Sequence, residues 1–249
     1  MWLESKIKFL NSKSSDIGIC EFHDMNKKNK ILGIITYAEA DHLCKDRLKN
    51  WTKYTKPDKI LFSGGDKEFW SDSDSYKISI GSDSYPNFEI KQDINFNLIN
   101  RLVGTLDKCI SLSDDPENAH IILIEPDVWF WDYPPQNEGF TGCKKVNTEL
   151  NLKWWHWPLI ICGKNNAINL LKVCKILCKY NTMTYPYGAS PDRFIALAVE
   201  LANIKENEGN QFSKHHIYET DIKQALDSRS NGAYAIHGIK TWNGYEKLK

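Results

Sequence analysis

Apolar residues in this chain recur in two rhythms. Ile31-Leu32-Gly33-Ile34-Ile35-Thr36, Lys59-Ile60-Leu61-Phe62-Ser63 and Ala119-His120-Ile121-Ile122-Leu123-Ile124 are short, nearly unbroken apolar runs. Their length and continuity predict strands covered on both faces, as in a parallel sheet. Between them the spacing opens to that of helices. From Asp41 to Tyr54, Leu43, Leu48 and Trp51 fall on one side and Asp41 sits at a capping position. Phe96, Ile99, Leu102, Val103, Leu106, Cys109 and Ile110 delimit one apolar face of a longer helix. Tyr76 to Ile80 predicts one more short strand. Strand and helix thus alternate through the first half, which predicts an α/β fold with a mostly parallel central sheet.

The second half changes character. Gly139-Phe140-Thr141-Gly142-Cys143 and Trp154-Trp155-His156-Trp157-Pro158 are rich in turn residues and aromatics. Leu159-Ile160-Ile161-Cys162 predicts a strand, followed by a helix from about Asn166 to Lys179. Ser190-Pro191-Asp192 opens another helix, with Ser at the cap and Pro in the first turn. From Gln211 the tail is polar and loop-rich, punctuated by Gly232 and Gly238. No internal repeat is present.

At 249 residues the chain can bury a full core as one compact unit. Lys+Arg and Asp+Glu are both 32, and this balance argues against a general nucleic-acid binder, which carries a basic excess. Lys27-Lys28-Asn29-Lys30 reads as a solvated loop. No stretch has the length of a membrane span, and the first residues lack the apolar core of a signal peptide. Seven cysteines without a CxxC pair argue against a disulfide framework or a structural zinc site, and point to a reducing cytosol. Cys174 and Cys178 share a helix face and read as small core residues.

The chemistry concentrates where the third apolar run stops. Glu125-Pro126-Asp127 places two carboxylates, one residue apart, at the carboxyl end of a buried strand, where open α/β sheets bind ligands. Pro126 favours a bend that can turn both acids toward one cation. Hard oxygen ligands suit Mg²⁺ or Mn²⁺, and such a cation suits a diphosphate. The competing reading is a solvated acidic turn.

A strand followed by acid-x-acid in the middle of an α/β chain of this size resembles the GT-A nucleotide-sugar glycosyltransferases. Their DxD signature binds Mn²⁺ or Mg²⁺ and, through it, the donor diphosphate. Glu125 departs from that signature at its first position, and Asp127 matches the second. Ala235-Ile236-His237-Gly238-Ile239-Lys240-Thr241-Trp242 is similar to the His-x-x-Gly-x-x-Lys-Pro-Trp segment of some retaining members, with compressed spacing and no Pro. The resemblance implies Glu125, Asp127 and His237 as metal ligands, with Gly238 and Lys240 at the diphosphate. It also places Thr36 and Tyr37 at the start of the nucleotide pocket, Asp66 near the base or ribose, and Arg101 within reach of phosphate. Tyr37 in the core, Asp66 in an ordinary turn and Arg101 in a surface ion pair are the competing readings.

On the acceptor side, Trp154, Trp155, His156 and Trp157 have the composition of a carbohydrate site, since sugars lay C–H faces on aromatic rings. Buried packing is the alternative. The resemblance makes Asp192 a group that binds the acceptor hydroxyl or serves as the base of an inverting displacement; simple helix capping is its other reading.

The fold implied is GT-A-like: a Rossmann-type sheet with helices on both faces, residues 1–135 forming the donor half and 136–249 a fused acceptor half. The reaction implied is transfer of a hexosyl group from a nucleoside-diphosphate sugar, UDP-glucose or another UDP-hexose by default, to a hydroxyl of a glycan or protein, with retention. Asp127 and Asp192 carry the catalytic roles. Cytoplasmic action is expected, in the host cytoplasm if the source is a virus. Two other functions share these features: a sugar-phosphate nucleotidyltransferase, which would usually carry a Gly-rich basic loop after the first strand, and a carbohydrate-binding protein without turnover.

Overall fold

The computed structural model describes residues 29–35, 41–63, 78–81, 94–147, 152–179, 191–207, 212–213, 222–238 and 247–248. These form a mixed α/β architecture in which helices flank a seven-stranded, mostly parallel sheet. The first apolar run is β1 (Lys30–Ile35), which leads to α1 (Asp41–Thr55). β2 (Lys59–Ser63), β3 (Ile78–Gly81) and the long α2 (Ile94–Leu112) follow, and the run before the acids is β4 (His120–Ile124). These strands are parallel neighbours in the spatial order β3-β2-β1-β4. Parallel strands bury both faces, and Ile31, Leu32, Ile34, Leu61, Phe62, Ile121 and Leu123 are accordingly inaccessible. Gly33 interrupts β1 for a steric reason. A Cβ built there would lie 2.7 Å from Leu123 Cδ2 and 2.8 Å from Cys109 Sγ, so α2 approaches the sheet over bare backbone.

The strand order determines where a ligand can sit. The chain winds outward from β1 through β2 to β3, then crosses back to lay β4 on the other edge of β1. The crevice at the carboxyl ends of β1 and β4 is therefore the topological switch point of the sheet. Ile34 pairs with Ile124, so Glu125 leaves the sheet at that crevice.

Beyond the acids come β5 (Val128–Phe130), β6 (Gly139–Asn147) and β7 (Leu152–Cys162). Here the structure adds what the composition hid. Gly139–Cys143 and Trp154–Pro158, rich in turn residues and aromatics, are the bodies of two long antiparallel strands, with β7 also pairing antiparallel to β4. The β6–β7 register jumps between Thr141 and Cys143, and Gly142 and Pro158 both fall in that interruption. Proline has no amide to give a ladder, so it fits an inner strand only at such a bulge. β8 (Glu206–Asn207) pairs parallel to β6 at the sheet edge. The helices expected in this half are present as α3 (Asn166–Lys179), with Cys174 and Cys178 buried, and α4 (Pro191–Leu201).

The tail also departs from expectation. It contains α5 (Ile222–Ser230) and β10 (Ala235–His237), the latter lying between β5 and β9 (Phe212–Ser213) in a separate three-stranded sheet. Ala235 joins the main core, whereas Ile236 packs with Trp129, Trp131, Ala225, Ala233 and Leu248 in a satellite core. Side chains alternate along a strand, so His237 faces the same side as Ala235, toward the main body. Among the described residues no helix is long and apolar enough to cross a membrane.

Candidate metal centre

Two backbone contacts bring the tail to the acidic turn. β10 runs antiparallel to β5 with His237 opposite Val128, and Gly238 N donates to Asp127 O at 3.1 Å. Gly238 has φ of +103°, a conformation open to glycine without steric cost. His237 Nε2 then lies 3.2 Å from Glu125 Oε2 and 3.2 Å from Asp127 Oδ1. One ligand atom from each of Glu125, Asp127 and His237 falls within 4.8 Å of the others. The ring is buried and the two carboxylates are partly so.

The donor set fits a hard divalent cation. Ligand bonds of about 2.1 Å at octahedral angles put neighbouring donors about 3.0 Å apart. The two 3.2 Å separations are close to that spacing. Two carboxylates and one imidazole form a mixed oxygen and nitrogen set of the kind Mg²⁺ and Mn²⁺ accept.

The same geometry controls the charge of the imidazole. Burial opposes charging the ring, but Asp127 and then Glu125 outweigh it, by charge and by hydrogen bonding, and His237 is pushed up to about 10. A raised pKa contributes stability that is complete below the unfolded value of 6.5 and is lost as pH rises through about 10. The metal-free chain is therefore expected to melt at falling temperature across that window, and His237→Gln to flatten the slope. Melting curves at stepped pH with chelator present test this; an unchanged slope in the variant would assign the effect to other groups.

The acidic turn is held from behind by α1 side chains to which the sequence reading gave no functional role. Arg47, completely buried on α1, donates through its guanidinium to Pro126 O. Trp51 Nε1 donates to Val128 O at 2.8 Å. Asn50 pairs with Phe130 on both sides, Nδ2 donating to its carbonyl at 2.8 Å and Oδ1 accepting from its amide at 2.9 Å. A signal was present for one of them, since Arg47 lies four residues from both Leu43 and Trp51, on the same helix face as those apolar positions.

The acceptor-side candidates divide by strand alternation. Trp155 and Trp157 point into the core, Trp155 packing edge-on against Phe140 at 5.2 Å, and offer no face to a sugar. This corrects their assignment to an acceptor surface. Trp154 and His156 lie on the other side of β7. Trp154 Nε1 donates to His156 Nε2 at 3.1 Å, and His156 Nδ1 lies 3.4 Å from Asp192 Oδ2. An indole can only donate, so Nε2 carries the lone pair and Nδ1 carries the hydrogen, directed at Asp192. The His156 ring is also 6.2 Å from that of His237, centroid to centroid. Asp192 therefore connects to the acid-histidine group through a single intervening side chain.

Arg101 is half-buried on α2, one turn closer to the carboxyl ends of the strands than Thr105, which packs at Gly33. Thr36, Tyr37, Asp66 and Lys240 lie outside the described residues.

No family model matches the sequence, and no curated protein does. Among solved structures the chain is similar to the glycosyltransferase GlyE of Streptococcus pneumoniae TIGR4. Its apo form superposes with a TM-score of 0.52 and a second structure with 0.53, each at 9% identity over 89% of this chain. The chain spans 60% of the length of those structures. At this identity the likeness establishes a shared fold.

Proposed function

We propose that this chain is a metal-dependent glycosyltransferase of the GT-A type, moving a hexosyl group from a nucleoside-diphosphate sugar to a hydroxyl acceptor. The observation that carries the reading is the convergence of Glu125, Asp127 and His237 at the switch point of the sheet. The shared fold with a glycosyltransferase supports it. Glu125, Asp127 and His237 hold Mn²⁺ or Mg²⁺, which when bound supplies positive charge against the departing diphosphate. Gly238 brings bare backbone, and Lys240 a second positive charge, to the same phosphates. Thr36, Tyr37 and Asp66 form the nucleoside pocket in the 1–135 half, with Arg101 reaching toward phosphate. Trp154 and His156 line the acceptor side in the 136–249 half, and Asp192 holds the acceptor hydroxyl. UDP-hexose donor, retention of configuration, a glycan or protein acceptor and a cytoplasmic site of action are the working assignments.

A thermal-shift panel of UDP, GDP, dTDP and ADP sugars, each with Mn²⁺ and with EDTA, tests the donor site. A ligand at a hundred times its Kd stabilises the folded state by about 2.7 kcal/mol. For a chain of this size that raises the melting temperature by about 5–10 °C. One nucleotide is expected to give this shift with Mn²⁺ and not with EDTA. A folded sample that responds to none of them would sink the donor site and favour a carbohydrate-binding protein.

A further inference from the structure

We infer that Arg47, Asn50 and Trp51 are positioning residues that set the cation affinity of the centre by fixing the main chain around Asp127. This rests on the metal-dependent reading above. Three successive carbonyls in the acidic turn each accept from a specific donor. Pro126 O takes the Arg47 guanidinium, Asp127 O takes Gly238 N at 3.1 Å, and Val128 O takes Trp51 Nε1 at 2.8 Å. The peptide planes on both sides of the Asp127 Cα are thereby held, and with them the origin and direction of its carboxylate. The middle bond joins Asp127 directly to the residue after His237, so the spacing between two of the three ligands is fixed through the backbone. Asn50 completes the arrangement at Phe130, giving that residue the donor and acceptor a neighbouring strand would give.

The competing account is that α1 only satisfies an edge. β5 lies at the outside of its small sheet, with β10 on one side, and its other edge needs hydrogen-bond partners. That account explains Asn50 at Phe130. It does not account for a buried arginine on Pro126 O, which lies before β5, between the two acids, and is no part of that edge. The two accounts differ in a measurable way. An edge-covering role governs stability alone, whereas a positioning role governs metal affinity in protein that is still folded.

Trp51→Phe removes one donor and keeps an aromatic ring in place. Asn50→Asp keeps the acceptor for Phe130 N and loses the donor to Phe130 O. Leu170→Ala on α3 is the control, since it opens a cavity in the core away from the turn. Mn²⁺ is titrated into each folded protein well below its melting temperature, with free ion followed by electron paramagnetic resonance. Kd is expected to rise about tenfold in Trp51→Phe, the lower end of the range for groups that orient metal ligands, and by less in Asn50→Asp. Leu170→Ala should bind as the parent does. If Trp51→Phe does not fold, Asn50→Asp carries the test. Parent-like affinity in the folded α1 variants, or weakening that Leu170→Ala shares, overturns the positioning role and leaves the metal centre standing. A parent protein that does not bind Mn²⁺ overturns both.

Discussion

Asp127→Ala is expected to remove metal-dependent nucleotide-sugar binding and to lower transfer by about a thousandfold, the upper range for loss of one electrostatic contributor. Of the two acids, Asp127 is the better enclosed, with 13% of its side chain exposed against 29% for Glu125. Its main chain is held on both sides, so its carboxylate has little freedom to be replaced by a neighbour or by water. Asp127→Asn should fail nearly as badly, because it preserves shape and removes only the charge. The Mn²⁺-dependent melting shift and initial transfer rates with the donor found by the nucleotide panel check both variants. An independent readout lies at His237, whose charged form Asp127 favours more than Glu125 does. Removing Asp127 should lower the imidazole pKa, which a histidine NMR titration of the metal-free chain would report. If Asp127→Ala keeps full ligand affinity, the pocket recognises sugar without a cation and the glycosyltransferase reading fails.

The parts of this molecule that were legible in the sequence are those where local pattern and tertiary environment agree. β1, β2 and β4 are buried on both faces, so their apolar runs are continuous and their limits clear. α2 packs one face on the sheet, and its spacing says so. Glu125 and Asp127 stood out because carboxylates directly after a buried strand have few structural reasons to be there. The parts that stayed hidden depend on contacts distant in sequence. β10 is three residues long and pairs with β5 more than a hundred residues away, and neither has a local signature. The strand character of Trp154–Pro158 was masked by the proline, which is tolerated only because β7 bulges there, opposite Gly142. With that strand unseen, the alternation that buries Trp155 and turns His156 toward Asp192 could not be read. His237 is marked in the sequence only by resemblance to a family, and of the α1 side chains that grip the acidic turn only Trp51 belongs to the apolar pattern, which says nothing of its bond to Val128.

Asp192→Asn is expected to lower kcat by a hundredfold or more while leaving the Mn²⁺-dependent melting shift with donor intact. The reasoning rests on what the substitution keeps. An asparagine oxygen can still accept from His156 Nδ1, so the contact at 3.4 Å and the orientation fixed by Trp154 survive. Only the negative charge and the basicity are lost, and both matter only if Asp192 handles the acceptor hydroxyl. A helix-capping role predicts something different. In the first turn of α4 a carboxylate is favoured by the helix dipole, so a purely structural Asp192 would cost about 0.3–1 kcal/mol of stability and no rate. Separating kcat from the acceptor KM refines the answer. Loss confined to KM makes Asp192 a binding group, loss confined to kcat makes it act in the chemical step, and neither loss in a folded variant removes it from the site. The anomeric configuration of any transfer product, read by NMR with the parent protein, then sorts the chemical roles. Inversion requires a base on the acceptor side, where Asp192 is the carboxylate linked to the centre, whereas retention leaves it to orient a hydroxyl whose proton goes to the departing phosphate.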